Sequence, residues 1–286
     1  MSDTKTPLLE VQNLTKTFVT QGSGAVFAGK RSFTAVDDVS FAVQPHETLA
    51  IVGESGSGKS TMARIAAKLL EPTAGNVLLN GTDMTHAKAK DLAHFRSKVQ
   101  VVFQDPFSSL NPKHTVERII MAPLDYQGVK PPKKRRDFVR DLMDRVGLNP
   151  DHSQRYPGQF SGGQAQRVGI ARALAVGPSL VVCDEAVSAL DVSVQAVVIN
   201  LLKDLQRERD LSYIFIAHDL AVVRHIADTV AVVNKGKIVE HGDRDSIFDA
   251  PQHEYTRELL SAVPQINPEW EAARLTRAQT AQKENP

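Results

Sequence analysis

The stretch Gly53-Glu54-Ser55-Gly56-Ser57-Gly58-Lys59-Ser60-Thr61 constrains this chain more than any other. It follows the apolar run Leu49-Ala50-Ile51-Val52 and leads into Met62, Ile65, Ala66 and Leu69, which recur at helical spacing. Strand, glycine-rich loop and helix, in that order, are the context in which G-x-x-x-x-G-K-[ST] cradles phosphate. The glycines let backbone N–H groups turn inward, and the helix aims its positive end at the same point. Lys59 then reaches the β- and γ-phosphates of a nucleoside triphosphate, Ser60 offers a hydroxyl to Mg²⁺, and Thr61 bonds an α-phosphate oxygen. A flexible linker would explain the glycines but not the strand before them or the helix after.

Bulk properties bound the rest. The 286 residues are 42% hydrophobic and 23% charged, enough for one large or two modest globular units. A formal net charge of +1 supplies no long-range field, so composition does not point to nucleic acid. One cysteine excludes a disulfide framework and a cysteine-only metal site within the chain. No window approaches the roughly 20 apolar residues of a membrane helix. The start, Met1 to Pro7, is polar, with no signal peptide visible. The expectation is a soluble, intracellular protein that other chains must hold wherever it works at a membrane.

Taken in order, Leu9 and Val11 alternate with Glu10 and Gln12 as a half-buried strand running towards Phe18. Gln21-Gly22-Ser23-Gly24 and Gly29-Lys30-Arg31 read as a loop. Val39, Phe41 and Val43 form another alternating strand, and Val77-Leu78-Leu79 runs into an Asn80-Gly81 turn. Val99 to Phe103 is an apolar run, after which the spacing turns helical through Val116–Ile120 and Phe138–Met143. This predicts a helical insertion, with residues 130–136 as its exposed connection. That basic run has two prolines and no interleaved aromatics, which favours a solvated loop over a nucleic-acid patch. From Ser161 onward, helices alternate with the strands Leu180–Cys183 and Tyr213–Ile216, and Asn234-Lys235-Gly236 marks a hairpin. Continuous apolar strands between helices mean a buried parallel sheet. Beyond Pro264 the composition is polar and predicts a poorly ordered tail.

Leu180-Val181-Val182-Cys183 ends in Asp184-Glu185. Behind a phosphate-binding loop, the first acid suits Mg²⁺ and the second suits a water in line with the γ-phosphate. Cys183 lies inside the apolar run and reads as a buried structural thiol. Phe160-Ser161-Gly162-Gly163-Gln164 enters a helix with Ser161 as its N-cap, a second anion cradle by the same physics as the first. One nucleotide has little use for two cradles, so the second is expected to close on the nucleotide of a neighbouring chain. A simple capped helix is the alternative if the segment is taken alone.

These motifs, with Gln104 after an apolar strand, Ser188-Ala189-Leu190-Asp191 and His218 after Phe215-Ile216-Ala217, occur in the order found in ATP-binding cassette (ABC) ATPases. The resemblance covers about residues 8–264. It implies an α/β P-loop NTPase fold with a mostly parallel core sheet, an antiparallel β-subdomain and a helical subdomain at about 106–165, followed by the tail 265–286. Phe103-Gln104-Asp105-Pro106-Phe107-Ser108-Ser109-Leu110-Asn111-Pro112, Ala189 to Gln195 and Pro251-Gln252-His253-Glu254-Tyr255-Thr256 resemble the dipeptide/oligopeptide importer branch, which includes nickel importers. The resemblance implies that Gln104 touches Mg²⁺ and the attacking water and senses a membrane subunit. It implies that His218 contacts the γ-phosphate and holds Glu185, and that Asp191 lies near the partner's phosphate loop. Ser161 and Gly163, flanking Gly162 and followed by Gln164, would bind the partner's γ-phosphate. Phe18 would stack on adenine, with Phe27 and Phe33, in the loop that follows, as competitors.

Ala186 stands where the family often has proline, and Glu254 where a proline is common. The tail lacks the cysteines with which many relatives could hold an iron–sulfur cluster, so none is expected. The implied protein is an ATPase subunit, peripheral on the cytoplasmic face of the inner membrane, using ATP and Mg²⁺. Its implied partners are a second cassette (a paralogue or a self-copy), two membrane permeases and, indirectly, an extracytoplasmic solute-binding protein. A soluble ABC ATPase of DNA repair or translation is the rival, but heptads and a duplicated phosphate loop are absent from the sequence. A regulatory subunit without turnover is disfavoured by Glu185, His218 and Ser161.

Overall fold

Period-two alternation in the first strands and unbroken apolar runs in the later ones produce two different sheets. Residues 6–21 and 30–262 are described by the structure, a computed structural model. β1 (Leu9–Gln21) and β2 (Lys30–Val43) pair antiparallel, and β1 also pairs with β4 (Ala74–Leu79), whose far edge carries β5 (Thr82–Asp83). The sheet order is β2-β1-β4-β5. Its apolar face packs on one side of the second sheet through Leu9, Val11, Leu14, Val36 and Phe41.

The second sheet contains β3 (Thr48–Val52), β6 (Val99–Val102), β7 (Leu180–Asp184), β8 (Ser212–Ile216), β9 (Thr229–Asn234) and β10 (Lys237–Asp243). They lie in the order β10-β9-β3-β8-β7-β6, parallel except for the β9–β10 hairpin. Every residue of β3, β7 and β8 is buried. Leu49 and Ile51 face the antiparallel sheet, while Ala50 and Val52 face the helices of the other layer. Both faces are covered, which is why these strands are apolar without alternation. Lys235 and Gly236, at φ 47° and 82°, form the hairpin tip, where paired positive φ values match the strand twist.

Two helices lie between the sheets in chain order: α1 (Lys59–Ala66) and α2 (Ala89–Lys98), the second not foreseen from sequence. The helical segment holds α3 (Pro106–Ser109), α4 (Val116–Gln127), α5 (Arg135–Arg145) and α6 (Gly162–Leu174). Ile119, Ile120, Val139, Leu142, Met143, Val168 and Ala171 join it to the main core. α7 (Val192–Arg209), α8 (Leu220–Ile226), α9 (Arg244–Asp249) and α10 (Glu254–Ser261) are the remaining helices named among the described residues. α8, α9 and α10 are likewise not foreseen from sequence.

Three expectations need correction. α1 ends at Ala66, so Leu69 is not on its buried face but half exposed. Lys68 turns left-handed at φ 55°, Leu69 and Leu70 donate to Arg64 O, and the buried Lys68 ammonium binds the Glu71 carboxylate at 3.0 Å. The loop expected at residues 21–31 is shorter at both ends, because β1 continues to Gln21 and β2 starts at Lys30. Phe33 therefore sits in a strand, directly opposite Phe18. Phe27 and the tail beyond Pro264 lie outside the described residues. In the basic stretch 130–136, Arg135 opens α5 and pairs with Asp125 at 2.8 Å and Glu117 at 3.4 Å, while Lys133 pairs with Asp141. Those cations serve local acids.

Candidate nucleotide-binding site

Neighbouring parallel strands bring the distant motifs together at one edge. In the order β3-β8-β7-β6, the carboxyl ends lead into the phosphate loop, into His218, into Asp184-Glu185 and into Gln104. Ligands of open α/β sheets bind at this edge.

The loop is built around glycine. At Gly58, φ is 107° and a Cβ would stand 2.3 Å from Ala35 O. Only glycine fits there. Lys59 is 3% exposed, and its Nζ donates to Gly53 O at 2.8 Å and Glu54 O at 2.7 Å. Burial lowers its pKa, opposed by the charges of Glu185, Asp184 and Glu54. Ser57 Oγ, close to Gly53, is buried with no hydrogen-bond partner among the described residues.

Ser60 Oγ donates to Asp184 Oδ1 at 2.8 Å, and Arg64 Nε stands 3.5 Å from Asp184 Oδ2. Ser60 and Asp184 are hard oxygen donors of the kind Mg²⁺ takes alongside phosphate and water, so the donor set fits that ion. Among the described residues no group of three or more His, Cys, Asp or Glu side chains gathers.

Glu185 follows β7 in the left-handed region at φ 53°. Its N–H donates to Ile216 O at 3.2 Å, and Ser188 returns its N–H and Oγ to Glu185 O at 3.1 and 2.9 Å. That turn directs the carboxylate at His218 Nε2, with which Oε1 is in contact. Cys183, one residue back from Asp184, is fully buried and its thiol is pushed up to about 12 by burial, as a structural thiol should be.

Phe18, Phe33, Ala35, Ser55, Gly56, Gly58, Lys59, Ser60, Thr61, Glu185 and His218 line one cavity of about 290 Å³. The two phenylalanines are 37% and 61% exposed, open enough to meet a flat ring, and Lys16 Nζ lies 5.3 Å from the Phe18 ring centre. Gln104 instead shares an adjoining cavity with Arg64 and Asp184.

The second cradle stands elsewhere. Ser161 Oγ accepts from Gln164 N at 3.3 Å and Ser161 N donates to Gln164 Oε1 at 3.0 Å, a capping box that opens α6. A Cβ on Gly163 would come within 2.3 Å of Val194 Cγ1, and Gly162 would meet Leu190. Asp191 caps α7 by accepting from Ser193 Oγ at 2.7 Å and Val194 N at 3.0 Å, bonds that hold its carboxyl below the usual range. Ser161 to Gln164 thus pack beside the Asp191 segment, and none of them lines the Lys59 cavity.

Sequence reasoning missed Arg64 and Tyr255. Arg64 follows Ser60 by one helical turn, a spacing that could have flagged it. Tyr255, whose hydroxyl accepts from Glu54 N at 3.1 Å, is 201 residues from its partner, beyond any local pattern.

The family model described as "ABC transporter" matches residues 36–188, and that for the "Oligopeptide/dipeptide transporter, C-terminal region" matches residues 239–286. The chain is 49% identical over 91% of its length to the probable peptide ABC transporter ATP-binding protein y4tS of Sinorhizobium fredii, spanning 74% of that protein. It is 48% identical over 94% of its length to the oligopeptide transport ATP-binding protein OppF of Bacillus subtilis, spanning 86%. A solved dimeric, post-hydrolysis structure of the ATP-binding cassette MJ0796 with ADP and Pi superposes with a TM-score of 0.72 at 29% identity, covering 82% of this chain and 98% of that one.

Proposed function

Because this chain belongs to the ABC transporter family of ATP-binding subunits and is an ATPase, we propose that it drives an importer of di- or oligopeptides or a similar small solute. The observation that carries the reading is the convergence of Lys59, Ser60, Asp184, Glu185 and His218 at adjoining strand ends. The cargo class is supported by the match of residues 239–286 and by the peptide transport named for both relatives. Neither relative is named for nickel, DNA repair or translation.

In this reading the cassette spans residues 8–264, with a helical unit at 106–165 and a polar tail at 265–286. The loop from Gly53 through Glu54, Ser55, Gly56, Ser57, Gly58, Lys59, Ser60 and Thr61 holds the triphosphate, and Phe18, with Phe33 facing it across the strand pair, receives adenine. Ser60, Asp184 and Gln104 hold Mg²⁺, which when bound offsets phosphate charge. Glu185 takes the proton of the attacking water as it approaches the γ-phosphate, and His218 fixes the Glu185 carboxylate in place. Ser161, Gly162, Gly163 and Gln164 of one cassette reach the γ-phosphate in the cavity of the other, with Asp191 across the seam. Closure is head to tail, as fits a cradle outside its own cavity and a dimeric relative.

The second cassette is a paralogue or another copy of this chain. Two membrane permeases receive the motion through the Gln104 segment, and an extracytoplasmic binding protein presents the cargo. Among the described residues no helix is long and apolar enough to cross a membrane; in this reading the permeases hold the chain at the cytoplasmic face of the inner membrane. Affinity capture from gently solubilised membranes tests this. Two multi-span proteins and a cassette are expected. Recovery with ribosomes or nucleic acid alone would overturn the importer.

A further inference from the structure

We propose that Tyr255 is a positioning residue for phosphate binding, its hydroxyl locking the first peptide plane of the phosphate loop from α10. The inference rests on the reading that residues 53–61 hold nucleotide phosphates.

The peptide joining Gly53 to Glu54 is one planar unit with two polar ends. Its carbonyl, Gly53 O, accepts from Lys59 Nζ at 2.8 Å. Its N–H, on Glu54, donates to Tyr255 Oη at 3.1 Å. The plane is gripped from opposite sides by an ammonium of the loop and a phenol of α10. Gly53, at φ 146°, has no Cβ to steer the plane, and a Cβ would lie 2.1 Å from Val233 O. Hydrogen bonds must therefore supply the order that a side chain cannot.

The two grips are not equivalent. Lys59 is the residue that turns to the phosphates, so its hold on Gly53 O and Glu54 O weakens when nucleotide arrives. Tyr255 has no such competing task. It is 9% exposed, and its own helix is pinned at the start, where the Glu240 carboxylate accepts from Gln252 N at 2.7 Å and His253 N at 3.1 Å. His253 Nδ1 caps α10 by accepting from Tyr255 N at 3.1 Å. A chain of bonds thus runs from β10 through α10 to the loop. Removing the phenol oxygen leaves the Glu54 N–H unpaired and lets the plane rotate, so the competent loop is populated only part of the time. Apparent affinity falls by that fraction.

The test uses the full-length chain carrying Tyr255→Phe. Loss of one net hydrogen bond predicts that the dissociation constants of ATP and ADP both rise about three- to tenfold. Hydrogen exchange of the Glu54 amide in nucleotide-free protein is expected to quicken by a similar factor, with the melting temperature little changed. In the assembled transporter, KM for ATP rises while kcat at saturation stays near the parent value. Glu240→Ala, which frees the start of α10 without touching the loop, should move Glu54 exchange in the same direction. Unchanged Glu54 exchange and unchanged affinity in Tyr255→Phe would overturn the proposal. Lys59→Ala separates the two levels: if it weakens ATP binding while Tyr255→Phe does not, only the tyrosine role fails. If Lys59→Ala also binds ATP normally, the nucleotide site itself is misassigned.

Discussion

Glu185 concentrates the residue-scale logic of the site. A non-glycine residue at φ 53° is costly, of order 1–3 kcal/mol, and persists here because Ile216 O and the Ser188 N–H and hydroxyl fix the turn. The return is a carboxylate held against His218 and aimed into the Lys59 cavity. Glu185→Gln keeps the shape and removes the base, so phosphate release should fall about 10²- to 10⁴-fold while ATP binding survives. Single-turnover phosphate release and nucleotide retention on the filter read the two effects separately, and near-parent release would exclude Glu185 as the base. Gly58→Ala acts on the other side of the same cavity. With a Cβ 2.3 Å from Ala35 O and a φ of 107°, the loop cannot keep its form, and ATP binding by calorimetric titration should disappear.

At the scale of elements, α6 is a strut between the second cradle and the segment after β6. Gln166, buried on α6, donates to Phe103 O at 3.3 Å, and Arg172 Nη1 donates to Ser109 O at 2.6 Å. These bonds bracket Gln104. Burial lowers the Arg172 pKa, and the Ser109 carbonyl accepts from its guanidinium. Arg172→Ala should cost about 1–3 kcal/mol in chemical denaturation. It should also make ATP turnover in the assembled transporter less responsive to cargo, measured as the ratio of rates with and without loaded binding protein. Much of this layer was legible beforehand, since β3, β7 and β8 declare themselves as apolar runs that end in the chemistry-bearing residues. The end of α1 was not. Leu69 has the right spacing for the helix, but the left-handed turn at Lys68 buries that ammonium, which the exposed Glu71 carboxylate holds at 3.0 Å, a tertiary choice that periodicity does not record. Phe33 was likewise assigned to a loop because Gly29-Lys30-Arg31 looks like a turn, whereas pairing with β1 extends the strand through it. Tyr255 had a motif but no visible role, because its partner Glu54 lies in a different element at the far end of the chain.

For the whole molecule, the proposed division of labour rests on Ser161 to Gln164 lying outside the cavity that Lys59 lines. Ser161→Arg should therefore leave ATP affinity of the isolated chain unchanged and abolish turnover only when cassettes are paired. Loss of binding in the isolated chain would contradict the division of labour. The strand order carries a different consequence, for the growing chain on the ribosome. β3 holds the phosphate loop, yet its two sheet neighbours are β8 and β9, made at Ser212–Ile216 and Thr229–Asn234. Non-local pairing of this kind is paid for in loop closure before it is rewarded. The loop sequence leaves the ribosome early, but the strand that pairs with β3 through Ser212–Ile216 follows it by more than 150 residues. Nucleotide is thus expected to stabilise a late stage of folding rather than the first one. A truncated product lacking β8 and β9 carries every loop residue from Gly53 to Thr61 but neither strand that flanks β3, so an aborted chain is expected to compete poorly with the finished one for cellular nucleotide.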